Sequence, residues 1–332
     1  MDLQQRIVLL DRLGKYLLSN DPQWVDIKHK ASIENAWFIP EFIDKQVTGI
    51  AVKYLDRNAL EQFAAKYNLP QENSSQKTVG IIMAGNLPLV GFHDFLCCFL
   101  CGYQLRIKVS SKDNILFPHL VEVLQSWEPT LSNDIRIEER LVGCDAFIAT
   151  GSNNSSRYFE YYFSKYPHII RRNRTSAAVL DGNETVEQLK ALADDVYLYF
   201  GLGCRNVTKI YLPRDYDFVP LLEAFKKYNY LFDHNRFKNN YDYQLAILII
   251  NRVYYMTNGS IILKEDNSLF SPISVLNYEF YDDSIKVFSF LKNNESVQCT
   301  VGKGHISFGE AQSPELADFA DGVDVMQFLK TV

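Results

Sequence analysis

No apolar run in this chain approaches the roughly 20 residues that a membrane-spanning helix needs. The opening stretch MDLQQRIVLLDRLGKYLL places its apolar residues at helical spacing and breaks them with Asp11, Arg12 and Lys15, unlike a secretory leader. A cytoplasmic protein without a membrane span is therefore expected. Excess positive charge is missing too. Against 40 Asp and Glu there are 34 Lys and Arg, a formal net charge of −6, so nucleic acid is not expected as the main partner. Histidine is scarce, with six residues scattered singly, and no metal centre is expected. Internal repeats and low-complexity tracts are absent, which excludes solenoids and disordered arms.

The 332 residues, 47% hydrophobic and 22% charged, match an ordinary globular chain of about two domains. Its six cysteines are expected as reduced thiols in that compartment. Cys97, Cys98 and Cys101 lie in the apolar run FLCCFLC and read as core packing. The one local basic cluster, Arg171, Arg172 and Arg174, reads equally as a solvated turn or a phosphate contact.

Residues 1–77 read as helices and loops that pack on the body, closing with Pro70 and a polar linker at 71–77. From Thr78 strands and helices alternate. Strands are expected at 79–84, 105–109, 135–138, 146–150 and 177–180, and helices at 91–101, 114–127 and 155–166. Such alternation predicts a parallel, doubly wound sheet over 78–190, which binds ligands off the carboxyl ends of its strands, where Asn86, Ser110 and Gly151 fall. A second α/β unit is expected over 191–308, with helices at 219–228 and 243–253, a hairpin at 254–264 turning on Asn258-Gly259, and a strand at 273–280. Asp282-Asp283-Ser284 reads as the cap of a helix ending at Lys292. The segment 309–332 is expected to pack back onto the body.

Four segments carry chemistry. VGIIMAGNLPL (79–89) ends a strand in Gly85-Asn86; LRIKVSSKD (105–113) puts Lys108 at a strand end; DAFIATGSNNSSR (145–157) sets Gly151-Ser152 between a strand and a helix. The fourth, YFGLGCRN, holds Cys204 on a glycine-flanked turn between a helix-like stretch (185–199) and a strand-like run (208–213), where a thiol is accessible and a substrate can approach the backbone.

The order Asn, Lys-x-Ser, Thr-Gly-Ser, then a loop Cys resembles the aldehyde dehydrogenase superfamily. Within it the chain is similar to the LuxC-type acyl-CoA reductases, through AGNLPLVGFHDFLC, KVSSKD, ATGSNNSSRYFEYYF, YFGLGCRN, NNYDYQLA and FGEAQSPELADFADGVD. The resemblance spans about residues 79–324. It implies a Rossmann-like cofactor domain plus an α/β catalytic domain, and this superfamily binds its dinucleotide without G-x-G-x-x-G. Carried over residue by residue, it implies Cys204 as nucleophile and Asn86 as oxyanion donor. Lys108 would meet the adenosine ribose and Ser152 the pyrophosphate, beside Gly151. It also implies an acyl-CoA or acyl-carrier thioester as substrate and a possible homodimer.

The departures sharpen the expectation. Members that make free acids carry a water-activating glutamate where Arg171 stands in an ungapped match, and no Asp or Glu occurs between Glu160 and Asp181. Thioester reduction to aldehyde is therefore expected rather than oxidation to acid. Where the superfamily has a carboxylate after the lysine, this chain has Ser110, Ser111 and Lys112, which favours NADPH over NADH. The glutamate that contacts the nicotinamide ribose falls at Ser268 here, so ribose binding must differ at that end. Two other readings use the same residues: an acyltransferase or thioesterase that employs Cys204 without hydride transfer, and a non-catalytic dinucleotide- or acyl-binding subunit.

Overall fold

The computed structural model describes residues 1–72 and 76–332; residues 73–75, in the middle of the expected linker, lie outside the described residues. By contacts the chain divides into one unit of Met1–Asn173 with Glu315–Val332, and a second of Arg174–Pro314.

The first unit opens with four helices, α1 (Leu3–Leu17), α2 (Pro22–Glu34), α3 (Pro40–Gly49), which runs on into a wider π turn, and α4 (Arg57–Lys66). In α1 the apolar residues Leu3, Ile7, Leu10 and Leu17 recur every three to seven positions and are all buried. Asp2 starts that helix by accepting the Gln5 N–H while the Gln5 side chain caps Asp2 in return, an arrangement worth about 1 kcal/mol.

There follow β1 (Thr78–Ile82), α5 (Phe92–Cys101), β2 (Gln104–Lys108), α6 (Leu116–Trp127), the single turn α7 (Leu131–Asp134), β3 (Ile135–Ile137), β4 (Ala146–Thr150), α8 (Asn153–Phe163) and β5 (His168–Arg171). The strands form one parallel sheet in the order β3-β2-β1-β4-β5. The chain turns outward in opposite directions from β1, so the loops after β1 and β4 flank a topological switch point. Helix α5 is buried along nearly its whole length, and Cys97 and Cys98 sit in this core as expected. The last residues return to this unit through the helix Val325–Leu329.

The second unit holds β6 (Thr175–Val179), α9 (Val186–Tyr197), β7 (Val207–Pro213), α10 (Phe218–Phe225), α11 (Asn235–Ile250), β8 (Met256–Thr257), β9 (Ile262–Glu265), β10 (Val275–Tyr281), α12 (Ser284–Lys292) and β11 (Val297–Gly302). Its six strands run in the order β11-β6-β7-β10-β9-β8, parallel except for the β8–β9 hairpin that turns at Asn258-Gly259. Thus the strand at 175–179 pairs with β7 and β11 of this second sheet. Asp283 caps α12 as its sequence predicts. Two strands, β5 and β11, were not expected, and α11 begins eight residues before its expected start.

Candidate functional site

In the first unit, Lys108 ends β2, and Asn86, Ser110, Ser111, Gly151 and Ser152 follow the carboxyl ends of β1, β2 and β4. Lys108, Ser111 and Ser152 are exposed, and Asn86, Ser110 and Gly151 are half-buried. Ser152 is the N-cap of α8 and accepts the Ser155 N–H at 3.2 Å. A Cβ on Gly151 would lie 2.8 Å from the Phe159 ring, so only glycine lets the helix start this close to the strand. At Gly85 a Cβ would come within 2.5 Å of Ser110 Oγ, which presses the loop after β1 against the loop after β2.

The loop bearing Asn86 is held by Asp113. Its Oδ2 accepts the Leu89 N–H at 2.7 Å, and Leu89 is a non-glycine residue in the left-handed region at φ 54°. Asp113 is buried and its Oδ1 has no hydrogen-bond partner. Burial pushes its carboxyl up to about 6, against the pull of the Leu89 and Leu116 N–H groups.

Arg171 ends β5 in register with Thr150, and its carbonyl accepts the Gly151 N–H at 3.3 Å. Neither expected reading of it as solvated turn or phosphate contact describes its surroundings. The guanidinium is buried and Nη1 binds the Asp94 carboxylate at the start of α5, while Nε and Nη2 are buried without partners. Its neighbour Arg172 is exposed and pairs with Glu160.

In the second unit, α9 ends at Tyr197 and the chain reaches β7 through a tight passage carrying Cys204. Tyr199, Phe200 and Gly201 follow one another in the left-handed region, at φ 55°, 56° and 74°. Each of the two non-glycine residues costs about 1–2 kcal/mol there. Burial offsets it: Tyr199 and Phe200 are 3% and 1% exposed, and hiding such a ring is worth about 2–3 kcal/mol. Phe200 packs on the Phe237 and His234 rings.

Asn206 clasps this passage. Wholly buried, it donates from Nδ2 to the carbonyls of Leu198 (2.8 Å), Asp195 (3.1 Å) and Val196 (3.3 Å), and accepts the Gly203 N–H on Oδ1 at 2.8 Å. It closes the last turn of α9, whose carbonyls would otherwise face the interior unsatisfied, and fixes the residue before Cys204. Ser176 Oγ donates to the Cys204 carbonyl at 3.1 Å and contacts Cys299 Sγ at 3.0 Å. Cys204 itself is half-buried, on the turn between Gly203 and Asn206. Burial disfavours the thiolate at the other five cysteines. Burial raises Cys97 and Cys98 well above the ordinary thiol value, Cys101 to about 12, Cys144 to about 11, and Cys299 as well.

Ser268 is exposed on the turn after β9, where its Oγ donates to the Phe270 carbonyl at 3.0 Å. The buried Asn277 holds that turn through the Ser268 and Phe270 carbonyls. Carboxylates stand two and three residues earlier, in Asp266 and Glu265, and Asp266 pairs with Lys264.

Asp113, Asn206, Ser176 and Asp195 are the supporting residues that the sequence reading did not assign. A signal existed for Asp195, a charge three residues after Leu192 on the apolar stripe of α9. Among the described residues there is no cluster of His, Cys, Asp or Glu able to hold a metal, and no helix long and apolar enough to cross a membrane.

No protein-family model and no curated protein matches the chain. Solved structures do. Aldehyde dehydrogenase 21 from Physcomitrella patens, in complex with the reaction product succinate, aligns with TM-score 0.68 at 12% identity, covering 98% of this chain and 79% of that one. A Mycobacterium tuberculosis aldehyde dehydrogenase complexed with NAD+ aligns with TM-score 0.66 at 15% identity, over 91% and 73% of the two chains. An NADP-dependent enzyme from E. coli gives 0.68 at 9% identity, over 91% and 73%. The fold is aldehyde-dehydrogenase-like, with a Rossmann-like first sheet and a second α/β unit.

Proposed function

We propose that this chain is a LuxC-type acyl-CoA reductase, reducing a long-chain fatty acyl thioester to the aldehyde with NADPH through an acyl-Cys204 intermediate. One observation carries the reading. Among the described residues, Cys204 is the half-buried thiol on a glycine-flanked turn, and Asn206 fixes the residue before it, while Arg171, where acid-forming relatives would have their glutamate, is locked in an ion pair with Asp94.

The carboxyl edge of the five-stranded sheet fits a nicotinamide dinucleotide. Lys108 would meet the adenosine ribose, Ser110 and Ser111 would accept a 2′-phosphate without repulsion, and the N–H groups at the start of α8 beside Gly151 and Ser152 would face the pyrophosphate. When bound, that group supplies the hydride. The chain's own residues do the rest. The Cys204 thiolate adds to the thioester carbonyl, and the Cys204 N–H would receive the negative oxygen, a donor worth about 3 kcal/mol. Collapse expels the CoA thiolate, which takes up a proton, and leaves an acyl thioester on Cys204. Reduction of that acyl group gives a thiohemiacetal, whose collapse frees the aldehyde and the Cys204 thiol. With no carboxylate at the Arg171 position, hydrolysis of the acyl-enzyme lacks its base.

Intact-mass measurement tests this. Palmitoyl-CoA should add one acyl group to the protein, NADPH should then discharge it as aldehyde, and Cys204→Ala should abolish both. An unlabelled wild-type protein across all acyl chain lengths overturns the reading. Discharge at the same rate without NADPH selects a thioesterase or acyltransferase instead.

A further inference from the structure

We infer that Asp195 is a positioning residue for the Cys204 turn, acting as a latch that ties segment 309–311 to the end of α9. The inference rests on the reading of Cys204 as the nucleophile.

Asp195 is wholly buried in the last turn of α9. Its two carboxylate oxygens each take one backbone donor from the same short segment: Oδ2 accepts the Gly309 N–H at 2.7 Å and Oδ1 the Ala311 N–H at 2.9 Å. The segment is seated closely. Gly309 has φ 88°, and a Cβ on it would lie 3.0 Å from the Ala191 Cβ on the same helix; Ala311 is fully buried. From the other side, Arg205, next to Cys204, donates to the Ala311 carbonyl at 3.4 Å. The carbonyl of Asp195 in turn accepts the Asn206 amide that fixes Gly203. Segment 309–311, the end of α9 and the Cys204 turn are thus one hydrogen-bonded ring, and Asp195 is the only member that carries a titratable side chain bonded to two others.

A carboxylate matches two converging N–H donors because it offers two acceptor oxygens and no hydrogen. Protonation places a hydrogen on one oxygen and weakens the contact there. Burial holds this carboxyl up at about 7, with Asp194 and Glu310 raising it further and the two N–H groups opposing. The charged and titratable groups facing it are Asp194 on α9, already bonded to Lys227 and Tyr228, Glu310 on the latched segment, Arg205 on the turn, and Cys299 on β11. The two N–H bonds favour the ionised form and burial favours the protonated one, so while the carboxyl stays buried the bonds that close the latch are strongest above neutrality and weaken below it, the desolvation cost running the other way.

Cys204 alkylation by iodoacetamide, followed by peptide mass mapping on the full-length protein, tests the latch without relying on the reductase reaction. An isolated thiol below its own titration loses reactivity tenfold per pH unit. The wild-type protein should fall more steeply than that below about pH 7, because protonation of the latch adds its own loss. Asp195→Asn cannot ionise and sets an amide NH2 against a backbone N–H. It should react about tenfold more slowly at pH 8 and follow the simple tenfold-per-unit line. Asp195→Glu, which keeps the ionisable group, should retain the steep limb. A wild-type profile with the simple slope overturns the latch, and so does an Asp195→Asn profile superimposable on wild type. A steep profile in a protein that palmitoyl-CoA fails to acylate leaves the latch standing and removes the reductase.

Discussion

The loop that carries Asn86 and the turn that carries Cys204 solve one problem with different chemistry. Both contain non-glycine residues in the left-handed region, Leu89 in the first and Tyr199 with Phe200 in the second. Both hold that conformation with a buried side chain bonded to the backbone. In the first unit the holder is a carboxylate, Asp113, with one oxygen on the Leu89 N–H and the other without a partner. In the second it is a neutral amide, Asn206, which uses both ends at once. A neutral clasp next to the thiol keeps the geometry of the turn independent of pH at the first layer, and moves the titratable group one step outward, to Asp195. The Asn86 loop has no such separation, so its clasp is itself the charge.

Replacing Asn206 is the harshest way to break the comparison. Asn206→Ala strips this partner from two carbonyls of α9, from the Leu198 carbonyl just beyond it and from the Gly203 N–H, all in the interior. An unsatisfied buried polar group costs about 1–3 kcal/mol, so a loss of at least about 3 kcal/mol is expected, read as a drop in urea midpoint. Cys204 alkylation should slow with it, as the turn loses its fixed geometry. An unchanged midpoint would show that the turn holds its strained residues by packing alone.

Asp113 sharpens the contrast through pH. Its carboxyl sits at about 6 in the folded protein against an ordinary value of 3.8, so the folded state binds the proton more tightly than the unfolded chain. The stability this group contributes is fully present below its ordinary value and is lost as the pH rises through about 6. Between about pH 4 and about pH 7 the wild-type protein should therefore lose up to about 3 kcal/mol relative to Asp113→Asn, which cannot titrate. Parallel stability-versus-pH curves for the two proteins would show that this carboxylate is solvated and that Leu89 is held by something else.

How much of this was legible in the residues follows from the range of each interaction. The strands β1 and β4 were readable because every position but the last is buried, leaving an apolar run between turn residues. Strand β5 is four residues long, hemmed in by Pro167 and basic side chains, and β11 mixes polar and half-exposed positions, so neither shows a periodic pattern. The start of α11 is polar, and only Phe237 and Tyr241 anchor it. Asn86, Lys108 and Gly151 stand at strand ends because a βα turn is a local signal. The residues that hold those loops act over long distances. Asp113 reaches back 24 positions and Asp195 forward 114 and 116, separations at which composition and periodicity carry no information. Arg171 shows the same limit, since nothing near it in sequence announces Asp94, 77 residues away.

The mildest expected effect concerns the exposed edge of the first unit, where nothing buried has to move. Ser111 lies three residues beyond Lys108 and is exposed. If the adenosine ribose sits over Lys108, a 2′-phosphate lies within a few ångströms of Ser111 and meets no carboxylate. Ser111→Glu places a negative charge there. At a distance of about 5 Å and an effective dielectric between protein surface and water, repulsion of the phosphate is worth about 1.4 kcal/mol, which is tenfold in affinity. NADPH binding, followed by titration of its fluorescence, should weaken about tenfold while NADH binding stays within a factor of two. That outcome would separate the two kinds of residue: Asp113 and Asn206 hold their loops from the interior, while Ser111 acts only at an exposed edge. Equal weakening of both cofactors would place the ribose elsewhere and undo the assignment of Lys108.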